Sequence, residues 1–90
     1  MKYNTALTIA GSDPSGGAGL QADLKTFSAL GVYGATAVVA VVDENTTGVY
    51  GVHPIPESFV AGQIRSVLTD IGADAVKIGM LHSSELIRTV

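Results

Sequence analysis

Gly11-Ser12-Asp13-Pro14-Ser15-Gly16-Gly17-Ala18-Gly19-Leu20-Gln21-Ala22-Asp23-Leu24-Lys25 is the stretch on which the fold turns. The apolar run Thr5 to Ala10 leads into it, and an amphipathic pattern leads out of it. A strand that passes through a glycine-rich loop into a helix leaves backbone N–H groups directed above the helix start. Those groups and the positive end of the helix dipole favour an anionic or strongly polar ligand. Four glycines and a proline between Gly11 and Gly19 suit a loop that lets backbone approach a small molecule. Two familiar loops do not fit. A Walker loop ends in Gly-Lys-Ser/Thr, whereas Gly19 runs into Leu20 and Gln21, and Gly16-Gly17-Ala18-Gly19 is not the G-x-G-x-x-G of dinucleotide folds. The loop alone leaves two readings: a ligand cradle, or a tight strand-to-helix turn.

Downstream of the loop, Leu20, Leu24, Phe27 and Leu30 recur at helical spacing, which predicts a helix from about Ala18 to Leu30, stopped by Gly31. Residues Ala35 to Val42 show no polar alternation and predict one strand buried on both faces of a parallel sheet. Asp43-Glu44-Asn45-Thr46-Thr47-Gly48 then forms a polar loop at that strand's C-terminal end, the edge where open α/β sheets bind ligands. Val49 to His53 reads as a short strand or an extended return. Pro56 and Glu57 suit the first turn of a second helix. Its apolar stripe is Val60, Ile64, Val67, Leu68 and Ile71, and Gly72 ends it. Ala75 to Met80 reads as a third main strand, and Ser83 or Ser84 can cap a further helix carrying Leu86, Ile87 and Val90. Parallel strands joined through helices are expected, with residues 1–90 forming the opening part of a larger α/β domain.

Composition narrows the function. Apolar residues make up 47% and charged residues 14%, which argues against disorder. It also points to apolar surface meant to be covered by other protein. Net charge is −3, with Lys2, Lys25, Arg65, Lys77 and Arg88 scattered, so no nucleic-acid partner is expected. The absence of cysteine removes disulfides, thiolate metal sites and thiol nucleophiles from these residues. No apolar run approaches a membrane span, so no membrane partner and a cytoplasmic location are expected. His53 and His82 have no second ligand at metal spacing, so no metal site is expected.

Leu7 to Gly19 and Gln21 to Gly31 closely resemble the bacterial hydroxymethylpyrimidine/phosphomethylpyrimidine kinases of thiamine biosynthesis. Asn45-Thr46-Thr47-Gly48-Val49 and Lys77-Ile78-Gly79-Met80 match that family's next two blocks, in order. The resemblance implies the N-terminal part of a ribokinase-like three-layer α/β/α sandwich with a mostly parallel sheet. It also implies two successive phosphoryl transfers from ATP with Mg2+, to 4-amino-5-hydroxymethyl-2-methylpyrimidine and then to its monophosphate. In this family the N-terminal half supplies the pyrimidine pocket. The ATP site, the magnesium ligands and a catalytic cysteine in a Gly-Thr-Gly-Cys segment lie in the other half. No catalytic residue is therefore expected here, and the 90 residues alone are expected to be inactive. The family often forms homodimers through its substrate-side surface. Relatives that phosphorylate pyridoxine or pyridoxal share two of the blocks, so a pyridoxine kinase is the alternative, with a non-catalytic binding fragment as a third reading.

By resemblance, the pyrimidine contacts are Gly11, Ala18 and Gly19 through close backbone approach, Asp23 through a hydrogen bond, Val42 and Met80 through packing, and Glu44 at the ring edge. Each has a plainer reading. Gly11 can simply close a strand, Asp23 can be a solvated helix-start carboxylate, and Met80 can fill core. Asp13 reads as an Asx-turn residue that orients loop N–H groups. Glu44 departs from the family, which usually has glutamine there. A glutamine amide both donates and accepts, while an ionised glutamate only accepts. Either Glu44 is protonated, or the ring binds differently, or the substrate differs. Lys77 is left with two readings, a partner for a carboxylate or a sheet-edge residue.

Overall fold

A computed structural model describes residues 4–79 and 81. Its elements, in chain order, are β1 (Thr5–Ala10), α1 (Gly19–Ala29), β2 (Tyr33–Val38), β3 (Ala40–Asn45), β4 (Gly48–Pro54), α2 (Glu57–Asp70) and β5 (Ala75–Ile78). Three strands form a parallel sheet in the order β2-β1-β5, and β3 and β4 form an antiparallel hairpin.

β1 is the centre of the sheet. It is buried from Ala6 to Ala10, and its side chains alternate between two helical layers. Leu7 and Ile9 join Ala37, Val39, Ala40 and α2's Val60 in the core, with Ile64 and Val67 packed against it. The other face looks to α1. There β2 presents Gly34, where an added Cβ would lie 2.8 Å from Leu24 Cδ2 and 3.0 Å from Phe27 Cδ2. A bare glycine backbone is what lets α1 sit so close to the sheet. Both helices end at glycines in the left-handed region, Gly31 (φ 72°) and Gly72 (φ 74°), as the sequence predicts. Leu30 is 72% exposed, so the α1 stripe ends at Phe27 rather than at Leu30.

The single strand expected from Ala35 to Val42 is two strands. The chain leaves the parallel sheet at Val39, which is 1% exposed. The Val39 N–H donates to the Ala10 carbonyl at 3.0 Å, and its carbonyl accepts from the Ile55 N–H at 2.9 Å. Beyond this point β1 has ended at Ala10 and no longer offers β2 a partner, so the chain crosses to the loop and pairs with β4 instead. Alternation on β3, with Val41, Asp43 and Asn45 exposed and Ala40, Val42 and Glu44 turned inward, follows from that change. The loop expected at 43–48 is therefore the distal end of a hairpin, with a bulge between Asp43 and Glu44.

A side chain closes the outer side of β2 at its end. Gln63 Oε1 accepts from the Val38 N–H at 2.8 Å, and Gln63 Nε2 donates to the Val38 carbonyl at 2.9 Å. The amide reproduces the donor–acceptor pair of a neighbouring strand. The strand expected at 75–80 is described as β5 over 75–78. Met80 and the helix expected after Ser83 lie outside the described residues.

Candidate functional site

The glycine loop is organised from inside by Asp13, which is 3% exposed. Its Oδ1 accepts from the Ser15 N–H at 2.9 Å and from the Ser15 hydroxyl at 2.7 Å. Its Oδ2 accepts from the Ala18 N–H at 2.7 Å. This is the expected Asx turn, extended across the whole loop. Hydrogen bonds from the Ser15 hydroxyl and from the backbone of Ser15, Ala18 and Gly17 hold the Asp13 carboxyl below the usual aspartate range, against the opposing pull of burial.

The loop is also tied down at both ends. The Asp13 N–H donates to Gln21 Oε1 at 2.7 Å, and the Leu20 N–H donates to the Gly11 carbonyl at 2.9 Å. The Ser12 N–H donates to the Ala40 carbonyl, and Ser12 Oγ accepts from the Val42 N–H, both at 3.0 Å. Gly19 makes the inner turn possible. It has φ 62°, and a Cβ there would lie 2.5 Å from the Gly11 carbonyl oxygen.

These bonds change the expected chemistry of the loop. The N–H groups of Ser15 and Ala18 already face an anion, the protein's own Asp13 carboxylate. A second anion such as a phosphate would meet charge repulsion there. The arrangement suits a neutral or donor-bearing ligand. Among the described residues, no group of three or more His, Cys, Asp or Glu side chains converges to hold a metal ion. No helix in the described residues is long and apolar enough to cross a membrane.

The hairpin brings two further candidates to the loop. A Cβ on Gly11 would lie 3.8 Å from Val42 Cγ2, so Gly11 and Val42 are neighbours. Glu44, two residues along the same inward face, reaches Asp13. Burial first, and then the Asp13 carboxylate beside it, push the Glu44 carboxyl above the usual glutamate range. Of the three options the sequence leaves for Glu44, this upward displacement runs in the direction of the protonated one. Gly11, Ala18, Gly19, Val42 and Glu44 are thus gathered around one loop.

Asp23 stands one turn into α1 behind that loop and is not a solvated carboxylate: its side chain is 11% exposed. Oδ2 accepts from the buried Thr8 hydroxyl at 2.6 Å, and Oδ1 pairs with Lys77 Nζ at 2.5 Å. Burial by itself would raise the Asp23 pKa, but the Lys77 and Thr8 hydrogen bonds and the Lys77 charge outweigh it and leave it lowered. Of the two readings the sequence leaves for Lys77, the structure takes the carboxylate partner. This link joins residues 54 positions apart and has no local sequence signal.

Comparisons with known proteins agree on one family. A family profile described as Phosphomethylpyrimidine kinase matches residues 13–90. The hydroxymethylpyrimidine/phosphomethylpyrimidine kinase of Escherichia coli K12 is 56% identical over all 90 residues, which span 34% of its length. The crystal structure of phosphomethylpyrimidine kinase from Clostridium difficile 630 is 51% identical, with a TM-score of 0.92, over 96% of this chain and 37% of that one. Pyridoxal kinase from Staphylococcus aureus, solved with AMP-PCP and pyridoxal, is 45% identical with a TM-score of 0.85, over 96% of this chain and 32% of that one. The chain spans about a third of the length of these relatives.

Proposed function

The chain belongs to the phosphomethylpyrimidine kinase family, and from that premise we propose that it supplies the acceptor pocket of a kinase in thiamine biosynthesis. The reaction is ATP-dependent phosphorylation of 4-amino-5-hydroxymethyl-2-methylpyrimidine and then of its monophosphate. The observation that carries this reading is the gathering of Gly11, Ala18, Gly19, Val42 and Glu44 around a loop whose own carboxylate takes up its donors. Such a loop favours an uncharged heterocycle over a phosphate. Gly11 and Gly19 allow backbone to approach the ring, Val42 packs on its face, and Asp23 accepts a hydrogen bond from its hydroxyl or amino group. A protonated Glu44 donates to a ring nitrogen and accepts from an exocyclic amine through its carbonyl oxygen, as an amide would. Met80 is the remaining proposed contact.

ATP and Mg2+ are proposed as the enzyme's phosphate donor and metal, held by residues other than those described. ATP supplies the transferred phosphoryl group when bound, and the residues here orient the acceptor. Residues 1–90 are the substrate-side portion of a single α/β domain, the location is cytoplasmic, and the enzyme assembles as a homodimer.

The test is a two-dimensional amide NMR titration of the chain with the hydroxymethylpyrimidine and, separately, with pyridoxine. Shifts confined to Gly11, Gly19, Asp23 and Glu44 on adding the pyrimidine support the assignment. Shifts with pyridoxine alone transfer it to the pyridoxal kinase branch, and a dispersed spectrum that answers neither compound overturns the proposed pocket.

A further inference from the structure

The pairing of Lys77 with Asp23 goes beyond the contacts proposed for the pocket. Lys77 lies on β5, whose four residues are all exposed, and its side chain is 55% exposed. It reaches past the sheet to a carboxylate on α1 that is 11% exposed. Thr8, fully buried on β1, holds the second oxygen of the same carboxylate. Two successive elements, β1 and α1, and the distant β5 therefore converge on one side chain.

A carboxylate oxygen has two acceptor positions. With Thr8 on Oδ2 and Lys77 on Oδ1, each oxygen has one used, and the plane of the carboxylate is fixed by two partners on separate strands. The remaining positions face in directions set by that plane. An aspartate pinned in this way is an acceptor with a defined orientation. The same aspartate with Thr8 alone would be held at one oxygen and would lose the charged partner that opposes its burial.

We propose that Lys77 is a positioning residue, which through its ion pair fixes the Asp23 carboxylate as an acceptor for the hydroxyl or amino group of the substrate. This rests on the reading of Asp23 as a pocket residue. Lys77 touches no substrate; it acts through Asp23. The groups facing Asp23 among the described residues are the Lys77 ammonium from β5 and the neutral Thr8 hydroxyl from β1. Lys25, on α1 itself, is turned to the Gly16 carbonyl at 3.0 Å. Burial raises the Asp23 pKa, and the Lys77 hydrogen bond, the Thr8 hydrogen bond and the Lys77 charge oppose it; Lys77 is the charged partner among them. A purely structural ion pair predicts something different. Its loss would lower stability and leave the pH dependence of ligand binding where it was.

Two readouts separate these cases. The first is the carbon-13 titration of the Asp23 carboxyl in the chain and in its Lys77→Met and Lys77→Arg variants. Asp23 titrates below the ordinary aspartate range in the wild type and in Lys77→Arg, and moves upward in Lys77→Met. The second is hydroxymethylpyrimidine affinity from pH 4 to 8. Lys77→Met weakens binding about tenfold, as expected for losing a charge-assisted partner, and shifts the acid limb of binding to higher pH. Lys77→Arg restores both. If folded Lys77→Met binds with wild-type affinity and pH profile, the proposal is wrong. If the wild type binds no pyrimidine, the reading of the pocket fails, and the carbon-13 titration still decides whether Lys77 controls Asp23. Should Lys77→Met not fold, the wild-type titration decides alone: an Asp23 pKa at or above the ordinary aspartate value overturns the proposal.

Discussion

The Asp13 and Glu44 carboxyls are displaced from their ordinary pKa values in opposite directions, and this gives the pocket a signed pH dependence. Asp13 is held below its ordinary pKa by its donors, so the stability it contributes is present above the unfolded aspartate pKa and is lost as pH falls through the folded one. Glu44 is held above its ordinary pKa, so its contribution is present below the unfolded glutamate pKa and is lost as pH rises through the folded one. Replacing Glu44 by glutamine removes the second effect. The expected outcome is a higher urea midpoint for Glu44→Gln at pH 7 and no advantage at pH 4, measured by circular dichroism. The same substitution is expected to flatten the pH dependence of pyrimidine binding, read by the NMR titration. Gly19→Ala acts through geometry. It places a Cβ 2.5 Å from the Gly11 carbonyl oxygen at φ 62°, and an expected loss of at least about 1–2 kcal/mol follows, measured by urea unfolding. The sequence shows that Gly19 is special and that Glu44 is unusual. It does not show that Asp13 consumes the loop's donors. A carboxylate three residues after a strand is compatible with facing inward or outward, and only the folded loop decides.

At the scale of elements, helices were legible because their apolar spacing and glycine stops are local. Strand β1 was legible for the same reason. The run from Ala35 to Val42 was not, because a continuous apolar stretch fits one buried strand or two short ones in different sheets. Its division at Val39 depends on where β1 ends, which is a fact about a partner far away in the chain. Gln63 carries no sequence signal either, since it reads as an ordinary polar position on a helix. Its amide closes both polar groups of Val38. Gln63→Ala leaves them without that partner, with an expected loss of about 1–3 kcal/mol. Faster hydrogen exchange at the Val38 amide is the specific check, and Gln63→Glu is expected to fall between, since it can accept from the N–H but not donate to the carbonyl when ionised.

For the whole molecule, the buried core is small and much apolar surface remains outside it. Leu7 is fully buried at the centre, and Leu7→Ala is expected to cost about 2–5 kcal/mol, enough to unfold a marginal domain. By contrast Val76 and Ile78 on β5 are about half exposed, as are Val49, Tyr50 and Val52 on β4. A patch of this kind is expected to bind an apolar dye such as ANS, and Val76→Glu or Ile78→Glu to reduce the fluorescence without changing the amide spectrum of the loop. The parallel order of the sheet was legible from alternating strands and helices. The position of β1 within it has a consequence in time. β1 is made before either of its partners, yet one flank is completed by β2 and the other only by β5. Asp74 Oδ2, which accepts from the Thr5 N–H at 2.8 Å, is 69 positions away. While the chain is being synthesised, β1 must therefore wait with one edge open until the segment that reaches Ile78 has emerged. The contact that closes the second edge of β1 is thus a long-range one, and long-range strand pairing carries the larger loop-closure cost.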